Sequence, residues 1–159
     1  MEFYSFDTPL GQMALAEEEG AIVRLYLPTS PTPRLMPHST PLLEEGVRQL
    51  RQYFEGTRTS FDLPLAPQGT PFQQKVWAAL RDIPYGQIRS YKELALAAGC
   101  PRGFQAVGQA NRSNPIPILI PCHRVIAADG APGGYAGSAP EGLALKRALL
   151  ELEGLRLPR

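Results

Sequence analysis

The stretch SYKELALAAGCPRGFQAVGQANR, residues 90–112, decides how the chain is read. Ser90 and Glu93 have the spacing of a capping box, which predicts a short helix through Leu94 and Leu96 that stops at Gly99. A further helix is expected from Pro101 to about Arg112. It carries Ala106, Gly108 and Ala110 at every second position, so parts of its surface are flat enough to lie close to another backbone. Two short helices joined through a glycine, the later one flanked by Arg102 and Arg112, fit a helix-turn-helix of the kind that docks on DNA. Tight helix packing inside the core is the competing account of the same small residues.

Upstream, Thr70 as N-cap and Pro71 at the first helical position open a helix whose apolar face is Phe72, Val76, Trp77 and Leu80, ended by Pro84-Tyr85-Gly86. Before it, Leu63-Pro64-Leu65-Ala66-Pro67-Gln68-Gly69 reads as a linker and places a boundary between residues 1–68 and 69–159. The first part alternates apolar and polar residues from Phe3 through Met13 to Leu27, with Pro9-Leu10-Gly11 and Glu19-Gly20 as turns, which predicts a small antiparallel meander. Five prolines between residues 28 and 41 mark an irregular connection, and Leu43, Val47, Leu50 and Phe54 restore helical spacing.

Downstream, Asn114-Pro115-Ile116-Pro117-Ile118-Leu119-Ile120-Pro121 suits neither a helix nor a central strand and is expected to be a rigid, buried, extended segment. It delivers Cys122-His123-Arg124. Val125-Ile126 and an Asp129-Gly130 turn then suggest a small hairpin or wing. Ser138 and Glu141 form another capping box, opening a last helix through Leu143, Leu145, Leu149, Leu150 and Leu152 to Gly154.

The 159 residues, 43% of them hydrophobic, are enough for one domain or two small ones. Formal net charge is +1, but residues 1–69 sum to −4 and residues 70–159 to +5. Such a split fits one half facing a polyanion, because phosphate neutralisation dominates nucleic-acid affinity. Two oppositely charged domains that attract one another would show the same split. Two cysteines, Cys100 and Cys122, and an N-terminus without a signal-peptide pattern argue against a disulfide framework and for a cytoplasmic protein. No apolar run approaches a membrane span, and two histidines without Cys-x-x-Cys give no zinc pattern, so neither membrane nor metal is expected.

A cysteine held by a stiff proline segment with a histidine beside it has the parts of an activated sulfur nucleophile, since a thiol with a pKa of about 8.5 is only a few per cent ionised at neutral pH. Adjacent residues on an extended chain point to opposite sides, so His123 reaches Cys122 only through a kink or a bridging water. A buried structural cysteine is the plain alternative.

Ile118-Leu119-Ile120-Pro121-Cys122-His123-Arg124-Val125 resembles the active-site motif of the O6-alkylguanine-DNA alkyltransferases, also called methylated-DNA–protein-cysteine methyltransferases. Thr70-Pro71-Phe72-Gln73, Pro84-Tyr85-Gly86, Ser90-Tyr91, Ala106-Val107-Gly108, Asn114-Pro115, Gly134-Tyr135-Ala136-Gly137 and Glu153-Gly154 match in the same order, so the likeness spans residues 70–154. For residues 1–68 it is one of length and coarse pattern. The resemblance implies an α/β (α+β) chain, with a small ribonuclease-H-like sheet and helix followed by a winged helix-turn-helix-like domain. It also implies irreversible, single-turnover transfer of an alkyl group from O6-alkylguanine, and from O4-alkylthymine, in double-stranded DNA to Cys122, by a monomer without a cofactor. His123 would act through a water as base, Glu153 would orient the imidazole, and Asn114 would brace the turn. Tyr91 would donate a proton to the leaving guanine. Pro117, Val125, Tyr135, Ala136 and Gly137 would line the pocket, and Arg102, Gln105, Ala106, Gly108 and Arg112 would face DNA. Two departures stand out: Gln105 replaces the arginine that usually fills the space left by the flipped nucleotide, and Ala136 stands where serine is frequent, with Ser138-Ala139-Pro140 as a short extra stretch.

Three rival readings differ in class. A non-enzymatic alkyltransferase-like damage sensor flips the base without transfer but lacks the acceptor cysteine. A Cys-His hydrolase or thiol redox protein does not explain the basic half. A plain winged-helix regulator gives no reason for the proline-locked thiol.

Overall fold

Positive backbone angles at Glu19 (φ 51°) and Gly20 (φ 81°) fold the chain back in a two-residue hairpin, the handedness that matches strand twist. Strands β1 (Glu2–Thr8), β2 (Gly11–Glu18) and β3 (Ala21–Tyr26) form the expected antiparallel meander, with Phe6 opposite Met13 and Leu15 opposite Leu25. A register shift between Ala16 and Glu17 bends β2. Met13, Ala14, Leu15 and Ala16 are all buried, so both faces of the middle strand are covered rather than one. Helix α1 (Pro41–Glu55) packs on one face, its N-terminus capped by the Thr40 hydroxyl and its end turned by Gly56 at φ 80°. Its buried stripe is Leu43, Val47, Leu50 and Tyr53; Phe54, expected in that stripe, is only half-buried. Phe3, Ala14, Ala16 and Val23 cluster together, with Tyr26 against them.

The structure, a computed structural model, describes residues 1–34, 36–127 and 140–156. They fall into two units, Met1–Gln68 with Pro115–Pro117, and Gly69–Asn114 with the described residues from Ile118 on. The stretch expected as a free linker is tied down: Leu65 bridges to Ile22, with Ile22 N–H donating to Pro64 O and Ala66 N–H to Ile22 O, both at 2.8 Å. Leu25 N–H donates to Pro115 O at 2.9 Å. Unpaired backbone groups of β3 thus recruit chain on both sides of the expected boundary.

In the second unit the capping signals translate directly. Helix α2 (Pro71–Arg81) opens on a Thr70–Gln73 capping box and α3 (Tyr91–Ala97) on a Ser90–Glu93 box. Helix α4 (Phe104–Arg112) starts three residues later than expected, because Gly103 N–H closes a turn onto Cys100 O and leaves Pro101-Arg102 outside the helix. Trp77 donates from Nε1 to Ala110 O at 2.9 Å, fixing α2 to α4. Val125-Ile126 is not seen pairing in a hairpin: as β5 it lies parallel to β4 (Arg89–Ser90), immediately before α3. Helix α5 (Pro140–Leu152) follows, and Gly154 at φ 89° ends it. The Asp129-Gly130 turn and Ser138 lie outside the described residues.

Candidate active site

The segment before Cys122 is buried as expected but not uniformly extended. Ile118 sits at φ 73°, a left-handed conformation costly for a β-branched residue, and Asn114 Nδ2 donates to Ile120 O at 2.8 Å across the bend. Pro121, at φ −81° and ψ 63°, is the centre of an inverse γ-turn closed by Cys122 N–H on Ile120 O at 2.8 Å. A single 3-10 turn then runs over Cys122–Arg124. Successive prolines remove competing backbone donors and fix φ, so the thiol-bearing residue arrives in one orientation. That turn replaces the extended geometry assumed from sequence. Asn111 Nδ2 contacts Cys122 O at 3.4 Å.

Cys122 is buried, and His123 is fully so. His123 Nε2 lies 2.7 Å from Glu153 Oε2, while Nδ1 makes no hydrogen bond among the described residues. Burial lowers the imidazole pKa and outweighs the opposing pull of Glu153, so the ring is held neutral. With Nε2–H donating to the carboxylate, Nδ1 keeps a lone pair able to take a proton.

Glu153, beyond the last turn of α5, stands against the helix dipole, and the structure shows what holds it. Arg124 donates from Nε to Oε1 at 2.9 Å and from Nη2 to Oε2 at 3.1 Å. Gly86 N–H donates to Oε1 at 3.2 Å. The third guanidinium arm reaches Ile83 O at 2.7 Å, and the Arg124 guanidinium carbon lies 5.8 Å from the centre of the Tyr85 ring. A forked cation grips a buried carboxylate whose other face meets His123.

Tyr91 opens α3, and its ring would touch a Cβ at Gly108 at 3.7 Å, which gives the small residue of α4 a packing role. Burial raises the Tyr91 hydroxyl pKa, with the Arg112 cation pulling the other way, so the group stays a proton donor. Its oxygen is buried near the Asn111 side chain, without a hydrogen bond of good geometry among the described residues. Lys146 is fully buried on α5 and donates from Nζ to Val125 O. Burial brings its pKa down to about 8, while a negative charge on Cys122 would hold it up. Among the described residues no group of three or more His, Cys, Asp or Glu side chains is placed for a metal ion.

Comparison with known proteins places this arrangement. The description "6-O-methylguanine DNA methyltransferase, DNA binding domain" matches residues 71–155, and "6-O-methylguanine DNA methyltransferase, ribonuclease-like domain" matches residues 2–67. The chain belongs to the 6-O-methylguanine DNA methyltransferase family. It is 48% identical to the constitutive methylated-DNA–protein-cysteine methyltransferase of Bacillus subtilis (strain 168) over 96% of both chains. It is 44% identical to the Mycobacterium tuberculosis (strain H37Rv) methylated-DNA–protein-cysteine methyltransferase, over 99% of this chain and 95% of that one. Among solved structures, the M. tuberculosis OGT in complex with DNA superposes with a TM-score of 0.85 at 44% identity, covering 96% of this chain and 92% of that one. A structure from Pyrococcus kodakaraensis KOD1, at 22% identity and a TM-score of 0.58, shares the fold.

For this 6-O-methylguanine DNA methyltransferase family member, Cys122, His123, Asn114, Tyr91 and Glu153 all lie in the second unit, and Val125 is buried there with its carbonyl engaged by Lys146. Pro117 groups with the first unit. Tyr135, Ala136 and Gly137 lie outside the described residues. Arg102, Gln105, Ala106 and Arg112 are exposed, and Gly108 is half-buried. Gln105 and Ala106 line a cleft of about 580 Å³ with Gln73, Gln109 and Ser113.

Sequence reasoning missed Arg124 and Lys146 as parts of this site. A signal existed for Lys146: the buried stripe of α5 is Gly142, Leu145, Lys146, Leu149 and Leu150, a charge inside an apolar face. Arg124 carried none beyond its place in the motif.

Proposed function

We propose that this chain is a methylated-DNA–[protein]-cysteine S-methyltransferase that repairs O6-alkylguanine in double-stranded DNA by moving the alkyl group onto Cys122. The observation that carries it is the buried Glu153–His123 pair, which leaves His123 Nδ1 without a hydrogen bond among the described residues, on the residue next to a buried thiol.

Cys122 loses its proton to His123 Nδ1 by way of a water. The thiolate attacks the alkyl carbon, the carbon–O6 bond breaks, and its electron pair stays on the guanine, which takes a proton from the Tyr91 hydroxyl. His123 returns its proton to the tyrosine. In net terms the thiol hydrogen ends on guanine and the alkyl group on sulfur. A thioether offers no comparable leaving group, so each molecule reacts once. Glu153 and Arg124 hold the imidazole, and Asn114 holds the bend before the thiol. No step calls for a cofactor, and O4-alkylthymine presents the same chemistry. Residues 69–159 carry the chemistry and the DNA face, with Gln105, Ala106, Gly108 and Arg112 on α4 and Arg102 in the turn before it, and residues 1–68 form the accompanying ribonuclease-like domain. From the family resemblance we assign alkyl and guanine recognition to Pro117, Val125, Tyr135, Ala136 and Gly137, the last three of which lie outside the described residues. No described helix is long and apolar enough to cross a membrane, and we read the protein as a cytoplasmic monomer.

Intact mass after incubation with duplex O6-methylguanine DNA tests this. The expected result is a gain of one methyl group per chain, saturating at one equivalent and mapped to the Cys122 peptide; Cys122→Ala loses transfer and keeps duplex binding. Turnover beyond one equivalent would falsify the single-use mechanism.

A further inference from the structure

Phe104 is the one aromatic side chain among the described residues that stands exposed, at 54%; every other described Phe, Tyr and Trp is buried or half-buried. It is the first residue of α4, the helix whose exposed side carries Gln105 and Arg112. Leaving a phenyl ring in water forgoes the burial that the other described aromatic rings have, and no described residue of the second unit buries it.

Its position is specific. Residues four apart on a helix share a face, so Phe104 lies one turn, about 5.4 Å, before Gly108. Gly108 is where α4 meets the Tyr91 ring. The phenyl therefore stands at the start of the edge of α4 that packs against the Tyr91 ring. Gln105 is rotated by about 100° from it and forms part of the wall of the cleft beside α2, to which Phe104 does not contribute. The two neighbours thus serve different sides of the helix.

We propose that Phe104 is the wedge that enters the base stack beside the target nucleotide, stabilising the extruded state that the uncharged, cleft-lining Gln105 supports less well. This rests on the DNA-alkyl-transfer reading above. Apolar side chains at minor-groove binding surfaces unstack base steps in this way, and a phenyl stacks on any base without needing a sequence-specific partner. Extruding a base removes its stacking partners on both sides. A flat ring presented at the start of the helix replaces one of them. Its flatness and lack of charge also make the contribution insensitive to salt, unlike a cation in the same place.

The test compares duplex O6-methylguanine with free O6-benzylguanine, which needs no extrusion, for wild type, Phe104→Ala and Phe104→Leu. Phe104→Ala is expected to slow transfer from duplex about tenfold, roughly what one stacked base is worth, and to leave reaction with the free base within about twofold. Phe104→Leu keeps an apolar wedge but has no ring to stack, so its duplex rate should fall between those of wild type and Phe104→Ala. A 2-aminopurine placed beside the lesion should brighten on binding wild type and much less with Phe104→Ala. Equal rates for wild type and Phe104→Ala on duplex would overturn the wedge, as would equal losses on both substrates, which would assign the ring to the fold. If wild type itself took up no methyl group from duplex, the underlying reading would fall instead, so the two failures are distinguishable.

Discussion

Replacing Arg124 by leucine tests how the buried pair is tuned. The substitution removes the two charged donors from Glu153, at 2.9 and 3.1 Å, and the bond to Ile83 O, and leaves a fully buried carboxylate facing only His123 and the Gly86 N–H of the donors described above. Breaking a buried ion pair by deleting one partner costs roughly 3–5 kcal/mol. For a unit of this size that corresponds to a melting shift on the order of 12–40 °C. The pH dependence changes as well. In the wild type His123 has a folded pKa below its ordinary value, so the unfolded chain binds the extra proton first as pH falls. The contribution of His123 to stability is complete above about pH 6.5 and is lost as pH drops through the folded pKa. Removing the Arg124 cation, which repels a charged imidazole, and stripping Glu153 of donors raises that pKa. The variant should therefore show a flatter loss of stability in acid and an acidic limb of the transfer rate displaced to higher pH. Arg124→Lys keeps a charge but cannot span both oxygens and Ile83 O, so it should lose less than half as much stability and hold the wild-type pH profile. Chemical denaturation and single-turnover transfer across pH ~5.5 to ~9 measure both effects. If Arg124→Leu loses stability while its acidic limb stays in place, the guanidinium braces the fold and does not tune the imidazole.

Two other outcomes follow from particular side chains. Lys146, with a folded pKa of about 8 against 10.5, binds its proton less readily folded than unfolded, so wild-type stability should rise between those pH values, by about 3 kcal/mol for the full shift. In Lys146→Met that rise should vanish in denaturant titrations, and the pH optimum of transfer should move upward because a cation near the Cys122 thiolate is gone. On the exposed face of α4, Gln105→Arg should speed transfer from duplex and leave the reaction with free O6-benzylguanine nearly unchanged; equal acceleration on both substrates would point to thiol reactivity instead of base extrusion.

Local signals in the chain were sufficient for the elements. Thr70 followed by Pro71, and Ser90 three residues before Glu93, are signals that close within one helical turn, so the local sequence places those helix starts. The Glu19-Gly20 hairpin is local in the same sense. Around Cys122 the prolines made rigidity and burial legible, since their rings fix φ, but not the Ile118 bend and the turn that replace the extended path. What depended on tertiary structure is whatever joins residues distant along the chain. Glu153 lies 30 residues from His123, and only the packing of α5 brings its carboxylate within 2.7 Å of the ring and under the Arg124 fork. The parallel pairing of Arg89-Ser90 with Val125-Ile126 has no turn to announce it, and Pro115–Pro117 joins the first unit because β3 has an edge to satisfy. The late start of α4 hangs on one turn bond at Gly103, against a proline that ordinarily favours a first helical position. Backbone propensity acts over three or four residues, whereas burial acts on whatever the fold brings together. The charge states of His123, Tyr91 and Lys146 are set by burial, and burial exists only once the chain has closed around them.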